Sequence, residues 1–187
     1  MPAGKTHDRI TLWGLPLITI LTFFQTQSGN LTLIVAGAYL FSGLMFGPDL
    51  DLYSRQYQRW GYLRWIWRPY QKALRHRSIF SHGLLIGTTL RVLYLGIWLA
   101  FLGIFGLGVA HLIWGVELTW QQLVVESQRS LLQNTAEWLY LFLGLELGAM
   151  SHSISDWSTS AYQRIQQNRA KMKKRKVTRS TKPKRRQ

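Results

Sequence analysis

Eight ionisable side chains of two kinds sit at four points of the chain, each beside an apolar run. His7 and Asp8 precede the first run, and Asp49 and Asp51, in G-P-D-L-D, follow the second. His76 and His82, in R-H-R-S-I-F-S-H, stand at the mouth of the third, and His152 and Asp156, in S-H-S-I-S-D, follow the last. Imidazole nitrogen and carboxylate oxygen are the donors that suit zinc, manganese or iron. The sequence has no cysteine, which excludes disulfides and thiolate ligands and argues against a closed structural zinc site. His152 and Asp156, at i and i+4, share one face if they lie on a helix. Asp49 and Asp51 face one ion together if their segment is extended, because alternate residues of an extended chain point the same way. The candidate ligands His7, Asp49, Asp51, His76, His82, His152 and Asp156 outnumber what one tetrahedral ion takes. One or two divalent ions, zinc foremost and manganese or iron next, are therefore expected. Two ions would activate water and clamp a phosphoryl group. Arg75 and Arg77 flank His76 and suit a phosphate oxyanion, or serve only as basic flanking residues. Ser78 and Ser81 are candidates to support the ligands or to cap a helix. Asp8 equally suits the start of the helix that follows it.

The elements that must bring these groups together are apolar helices. No Asp, Glu, Lys or Arg occurs from Ile10 to Pro48 or from Val92 to Val116. The mean hydropathy of −0.03 hides this segregation, because 12 of the 23 Lys and Arg lie between Arg164 and Arg186. The pattern predicts an all-α membrane bundle with spans at about residues 10–27, 30–47, 88–112 and 136–151, an interfacial segment between the second and third, and a surface helix within 119–135. The first, second and fourth runs are short for a span, so a buried soluble hairpin is the alternative for residues 10–47. Gly47-Pro48 ends the second helix, and glycines 96, 103, 106 and 108 would permit close packing of the third. Arg91 and Glu146 should lie at similar depth and are candidate partners. Residues 1–165 are read as one helical membrane domain. Residues 166–187 are read as a basic tail, disordered from Arg169 onward because like charges without apolar residues cannot bury enough surface to fold.

Connectivity places the N-terminus, residues 47–87 and the tail on one side of such a membrane. That side carries 21 of the 23 Lys and Arg. The excess of positive charge identifies it as cytoplasmic, with both termini inside an inner or thylakoid membrane. The histidines did not enter that count, yet His7, His76, His82 and His152 all fall on this face, and only His111 falls on the other.

Arg55 to Arg77 interleaves seven basic residues with Trp60, Tyr62, Trp65, Trp67 and Tyr70 and contains no acid. Such a strip suits either RNA, by stacking and phosphate contact, or anionic lipid at an interface. The apolar runs on both sides favour lipid. Pro69 is expected to divide the segment.

The order His, then P-D-L-D, then H-R-S-I-F-S-H, then H-x-x-x-D after the last apolar run resembles the predicted membrane-bound metal-dependent hydrolases. P-D-L-D-L-Y-S and R-W-G-Y-L-R-W-I-W-R-P-Y are more similar still to a metal-binding domain family of undetermined function, common in photosynthetic bacteria. The resemblance covers residues 7–157 and omits the tail. It implies the same seven ligands: His7, Asp49, Asp51, His76, His82, His152 and Asp156. A more distant similarity to zinc-dependent phospholipase C implies phosphoester chemistry. The expectation is a metal-dependent hydrolase acting at the cytoplasmic face on a lipid-like or phosphoester substrate, with membrane lipids as surroundings. The alternative is a non-catalytic metal-binding scaffold whose basic tail contacts anionic lipid, nucleic acid or a protein complex. The oligomeric state is left open.

Overall fold

The computed structural model describes residues 4–74, 78–115 and 120–180. Among them all regular structure is helical. The first apolar run forms α1 (Gly4–Thr26) and the second α2 (Gly29–Leu44). Between them Gln27 adopts φ 50°, and Ser28 caps α2 by accepting the Leu31 N–H at 3.4 Å, so the chain reverses in two residues.

The centre of the bundle is α2, which packs chiefly against α8 (Thr135–Ser180) and then against α1. Small residues set these distances. A Cβ on Gly148 would lie 2.5 Å from the Tyr39 carbonyl oxygen, and one on Gly144 would lie 2.6 Å from that of Val35. A Cβ on Gly43 would lie 2.5 Å from the Thr11 methyl. The glycines that set the α2–α8 and α1–α2 approaches named here are therefore on α2 and α8. Glycines 96, 103, 106 and 108, expected to do this on the third apolar helix, have open space around them.

Pro48 ends the second helix as expected, but the chain then coils into a 3-10 turn, Pro48–Asp51. Ser54 caps the one-turn α3 (Arg55–Gln58), accepting the Tyr57 N–H at 3.2 Å. A second 3-10 helix, Gly61–Trp67, leads into α4 (Arg68–Ala73), which has Pro69 in its first turn, where the missing N–H costs no hydrogen bond. This segment does not lay all its rings at a surface. Trp67 is fully buried and packs edge-on to Phe46, Trp60 and Tyr70, with Tyr94 tilted over it. Trp60 donates from Nε1 to the Met45 carbonyl at 2.9 Å, and Gln71 donates to those of Leu50 and Leu52 at 3.0 Å. The Tyr94 hydroxyl donates to the Ile66 carbonyl. Alternating basic residues hid the fact that half the aromatic residues face a core.

α5 (Ile79–His82) precedes α6 (Ile86–Trp114), and α7 (Trp120–Gln133) leads to α8. From Leu99 to Trp114 no residue of α6 is buried. Gly29–Asp51 and Ile86–Trp114 are long and apolar enough to cross a membrane, the first half buried in the bundle and the second unburied. Two of the four expected spans thus meet that test. α8 continues as helix through residues 169–180, where disorder was expected. Ala, Lys, Arg, Gln and Met are all strong helix formers, so an existing helix propagates into the basic stretch without needing a core.

Candidate metal centre

Three elements converge at the C-terminal end of α2. His7 enters from the first turn of α1, and Asp49 from the 3-10 turn. His152 and Asp156 enter from adjacent turns of α8, on the face that the i, i+4 spacing predicts. His7 Nε2 lies 3.3 Å from Asp156 Oδ1. His152 Nε2 lies 3.2 Å from Asp49 Oδ2 and 3.7 Å from Asp156 Oδ2. The two imidazoles stack with centroids 4.0 Å apart and planes 24° apart. Donor atoms of His7, His152 and Asp156 all lie within 4.8 Å of one another. His7 and His152 are buried, and Asp156 is partly so.

These separations suit a common ion. With metal–ligand bonds of about 2.0–2.1 Å, tetrahedral donors stand roughly 3.3–3.4 Å apart. The observed spacings of 3.2, 3.3 and 3.7 Å bracket that value. His152 Nε2 is buried and makes no hydrogen bond of proper geometry, as a nitrogen reserved for a ligand would. The His7 hydrogen bond holds the Asp156 carboxyl below the usual carboxylate range, with the charge of His152 helping and burial and Asp49 opposing. A deprotonated oxygen is the form that binds metal.

The segment of Asp49 and Asp51 is a 3-10 turn and not an extended chain. In a 3-10 turn three residues complete a revolution, so residues two apart point in different directions. While Asp49 reaches His152, Asp51 is buried and interacts electrostatically with Tyr70 and Arg91. Burial raises the Tyr70 phenol above its ordinary value, Arg91 partly offsetting and Asp51 reinforcing this. Asp8 is engaged elsewhere. Arg59 grips both its oxygens at 2.9 and 2.6 Å, and Arg55 lies 3.6 Å away. Arg75, His76 and Arg77 lie outside the described residues. His82 ends α5, and its side chain also lies outside what is described. Ser78 Oγ accepts the Ser81 N–H at 3.3 Å, capping that short helix.

Arg91 and Glu146 line one small cavity. Each is held mainly by other groups. Arg91 donates to the Ser81 carbonyl at 3.0 Å and to Thr88 Oγ1 at 2.9 Å, and Glu146 accepts the Leu85 N–H at 3.0 Å.

Sequence reasoning missed Gln56. Its Nε2 donates to the Gly43 carbonyl at 3.0 Å and lies 3.4 Å from His152 Nδ1. Its Oε1 is buried without a partner among the described residues. It therefore contacts the ring nitrogen opposite the one that faces the carboxylates. A one-turn helix has no periodicity to betray its inward face. His7, Asp8, Asp49, Arg55, Gln56 and His152 line a common small cleft of about 30 Å³.

A family model described as "Uncharacterized metal-binding protein (DUF2227)" matches residues 2–166, which takes in every group placed above. An uncharacterized protein of Aquifex aeolicus (strain VF5) is 40% identical over 58 residues, covering 30% of this chain and 40% of that protein. The chain thus spans less than half the length of that relative. No solved structure gives a significant match.

Proposed function

Because the chain belongs to this metal-binding family, we propose that it is a membrane-bound hydrolase that uses a divalent ion, zinc foremost, on a lipid-like or phosphoester substrate. The observation that carries the proposal is the gathering of His7, His152 and Asp156, whose donor atoms lie within 4.8 Å of one another, with Asp49 3.2 Å from His152 beside a small cleft. Bound there, such an ion would acidify a water and polarise a phosphoryl oxygen. The protein's own groups divide the remaining work. His7, His152 and Asp156 hold the centre. Asp49, at the edge of the cleft and partly exposed, is placed to take a proton from an incoming water. Gln56 orients His152. Arg55, at the mouth, offers positive charge to an oxyanion. His76 and His82 remain proposed ligands of the same or a second ion.

The membrane part of the proposal rests on α6, in which no residue from Leu99 to Trp114 is buried, and on the one-sided distribution of Lys and Arg. The test is hydrolysis of phospholipid and of bis(p-nitrophenyl) phosphate by full-length protein in nanodiscs, before and after chelation. Activity that chelation removes, that zinc or manganese restores, and that His152→Ala lacks would support the reading. The basic continuation of α8 favours a second reading, a non-catalytic scaffold. Stoichiometric metal without turnover, together with loss of cellular function on deleting residues 166–187, would select it.

A further inference from the structure

The 3-10 helix Gly61–Trp67 pins one side of itself to the core and leaves the other side open. Ile66 and Trp67 are buried, whereas Tyr62 is 100% exposed and Trp65 51%. Gly61, at φ 54°, makes the left-handed turn that starts this geometry. Three residues per turn align Tyr62 and Trp65 in a row that Arg68 continues at the junction with α4. With Gly61 and Arg64 they line an open cleft of about 420 Å³. Neither Arg64 nor Arg68 has an ion-pair or hydrogen-bond partner among the described residues, unlike Arg59, which is locked to Asp8. Trp65 packs edge-on against Trp98 of α6, centroids 5.1 Å apart. The cleft is therefore continuous with the unburied apolar surface of that helix.

We propose that this cleft binds the headgroup of an anionic phospholipid. Arg64 and Arg68 would meet the phosphate, Tyr62 and Trp65 would lie at the glycerol level, and the acyl chains would run along α6. The inference rests on the membrane-bound reading given above, but it is independent of the metal centre. Exposed rings beside two unpartnered guanidinium groups and an apolar wall match all three parts of such a lipid. RNA would use the charge and the rings but leave the α6 wall uncovered.

The test is native mass spectrometry of the full-length protein released from nanodiscs containing equal phosphatidylglycerol and phosphatidylcholine. The wild type should retain phosphatidylglycerol preferentially. The Arg64→Gln/Arg68→Gln variant should lose that preference about thirtyfold, as the removal of two surface cations implies. Deleting residues 166–187 should leave it intact. Equal retention by the double variant, or loss of the preference with the tail alone, would overturn the assignment while leaving the membrane reading standing. Binding of an oligouridylate RNA with the same dependence on Arg64 and Arg68, in place of lipid, would also overturn it. Release of the wild type from membranes by alkaline carbonate would remove the membrane reading, and the cleft assignment with it.

Discussion

His7 and His152, from opposite ends of the chain, stack their imidazoles with centroids 4.0 Å apart, and both rings present Nε2 to the carboxylate of Asp156. The stack exists because α1 and α8 both pack on α2, which brings the first turn of one beside the fifth turn of the other. Any change in the spacing of α2 and α8 should therefore be felt at the site.

Gly148 is one turn from His152 and touches the backbone of α2. In Gly148→Ala the new Cβ would meet the Tyr39 oxygen at 2.5 Å and the Gly43 nitrogen at 2.9 Å, neither of which can swing aside. Overpacking of this kind costs about 1–3 kcal/mol. Thermal unfolding in detergent should show that loss, with metal affinity weakened in parallel. Gly96→Ala, in open space, should be neutral or stabilising by up to about 1 kcal/mol.

Gln56→Leu removes the amide that positions His152 and leaves the Gly43 carbonyl unpaired. Loss of such a supporting contact lowers metal affinity by about 10–100-fold. Competition with a zinc chelator would measure this, and an unchanged affinity would exclude the role given to Gln56.

The depressed Asp156 carboxyl gives the metal-free protein an acid-sensitive contact. A carboxylate whose folded pKa is lowered stabilises fully above its unfolded value of about 3.9, and that stability is lost as pH falls through the lower folded value. The stability gap between wild type and Asp156→Asn should thus be constant near neutrality and close below about pH 4. Chemical denaturation of chelated protein across that range would check the sign. A gap that widened on acidification would contradict it.

Glu146 and Arg91 attract one another across a small buried cavity, and Glu146 also accepts the Leu85 N–H. Leu85 holds φ 62°, unusual for a residue with a side chain, so this acceptor secures a strained entry into α6. Glu146→Leu and Arg91→Met should each destabilise by about 3 kcal/mol, because each strands a buried charge. The double variant should lose less than the sum. Additive losses would mean that the two groups act independently.

Charge-free stretches located the long helices closely. Residues 30–47 correspond to Gly29–Leu44 and residues 88–112 to Ile86–Trp114. The i, i+4 spacing of His152 and Asp156 and the gathering of His7 and Asp49 beside them were also legible, because connectivity alone puts those ends together. Other features were not. Whether P-D-L-D coils or extends after a proline is decided by Ser54 and the packed segment that follows, so the 3-10 turn was not legible. Glycine positions do not reveal which helix face meets a backbone. Basic residues interleaved with rings read as a surface strip, although Trp67 is wholly buried. Hydropathy marks where α8 ceases to be apolar, and not where it ceases to be helical.

The measurement that bears most directly on the account is the metal content of full-length protein purified without chelators, by elemental analysis with X-ray absorption at the metal edge. The account predicts at least one equivalent of zinc, manganese or iron in a shell of nitrogen and oxygen at about 2.0–2.2 Å, reduced by one equivalent in both His7→Ala and His152→Ala. Wild-type protein free of metal, or variants that hold as much as the wild type, would contradict it.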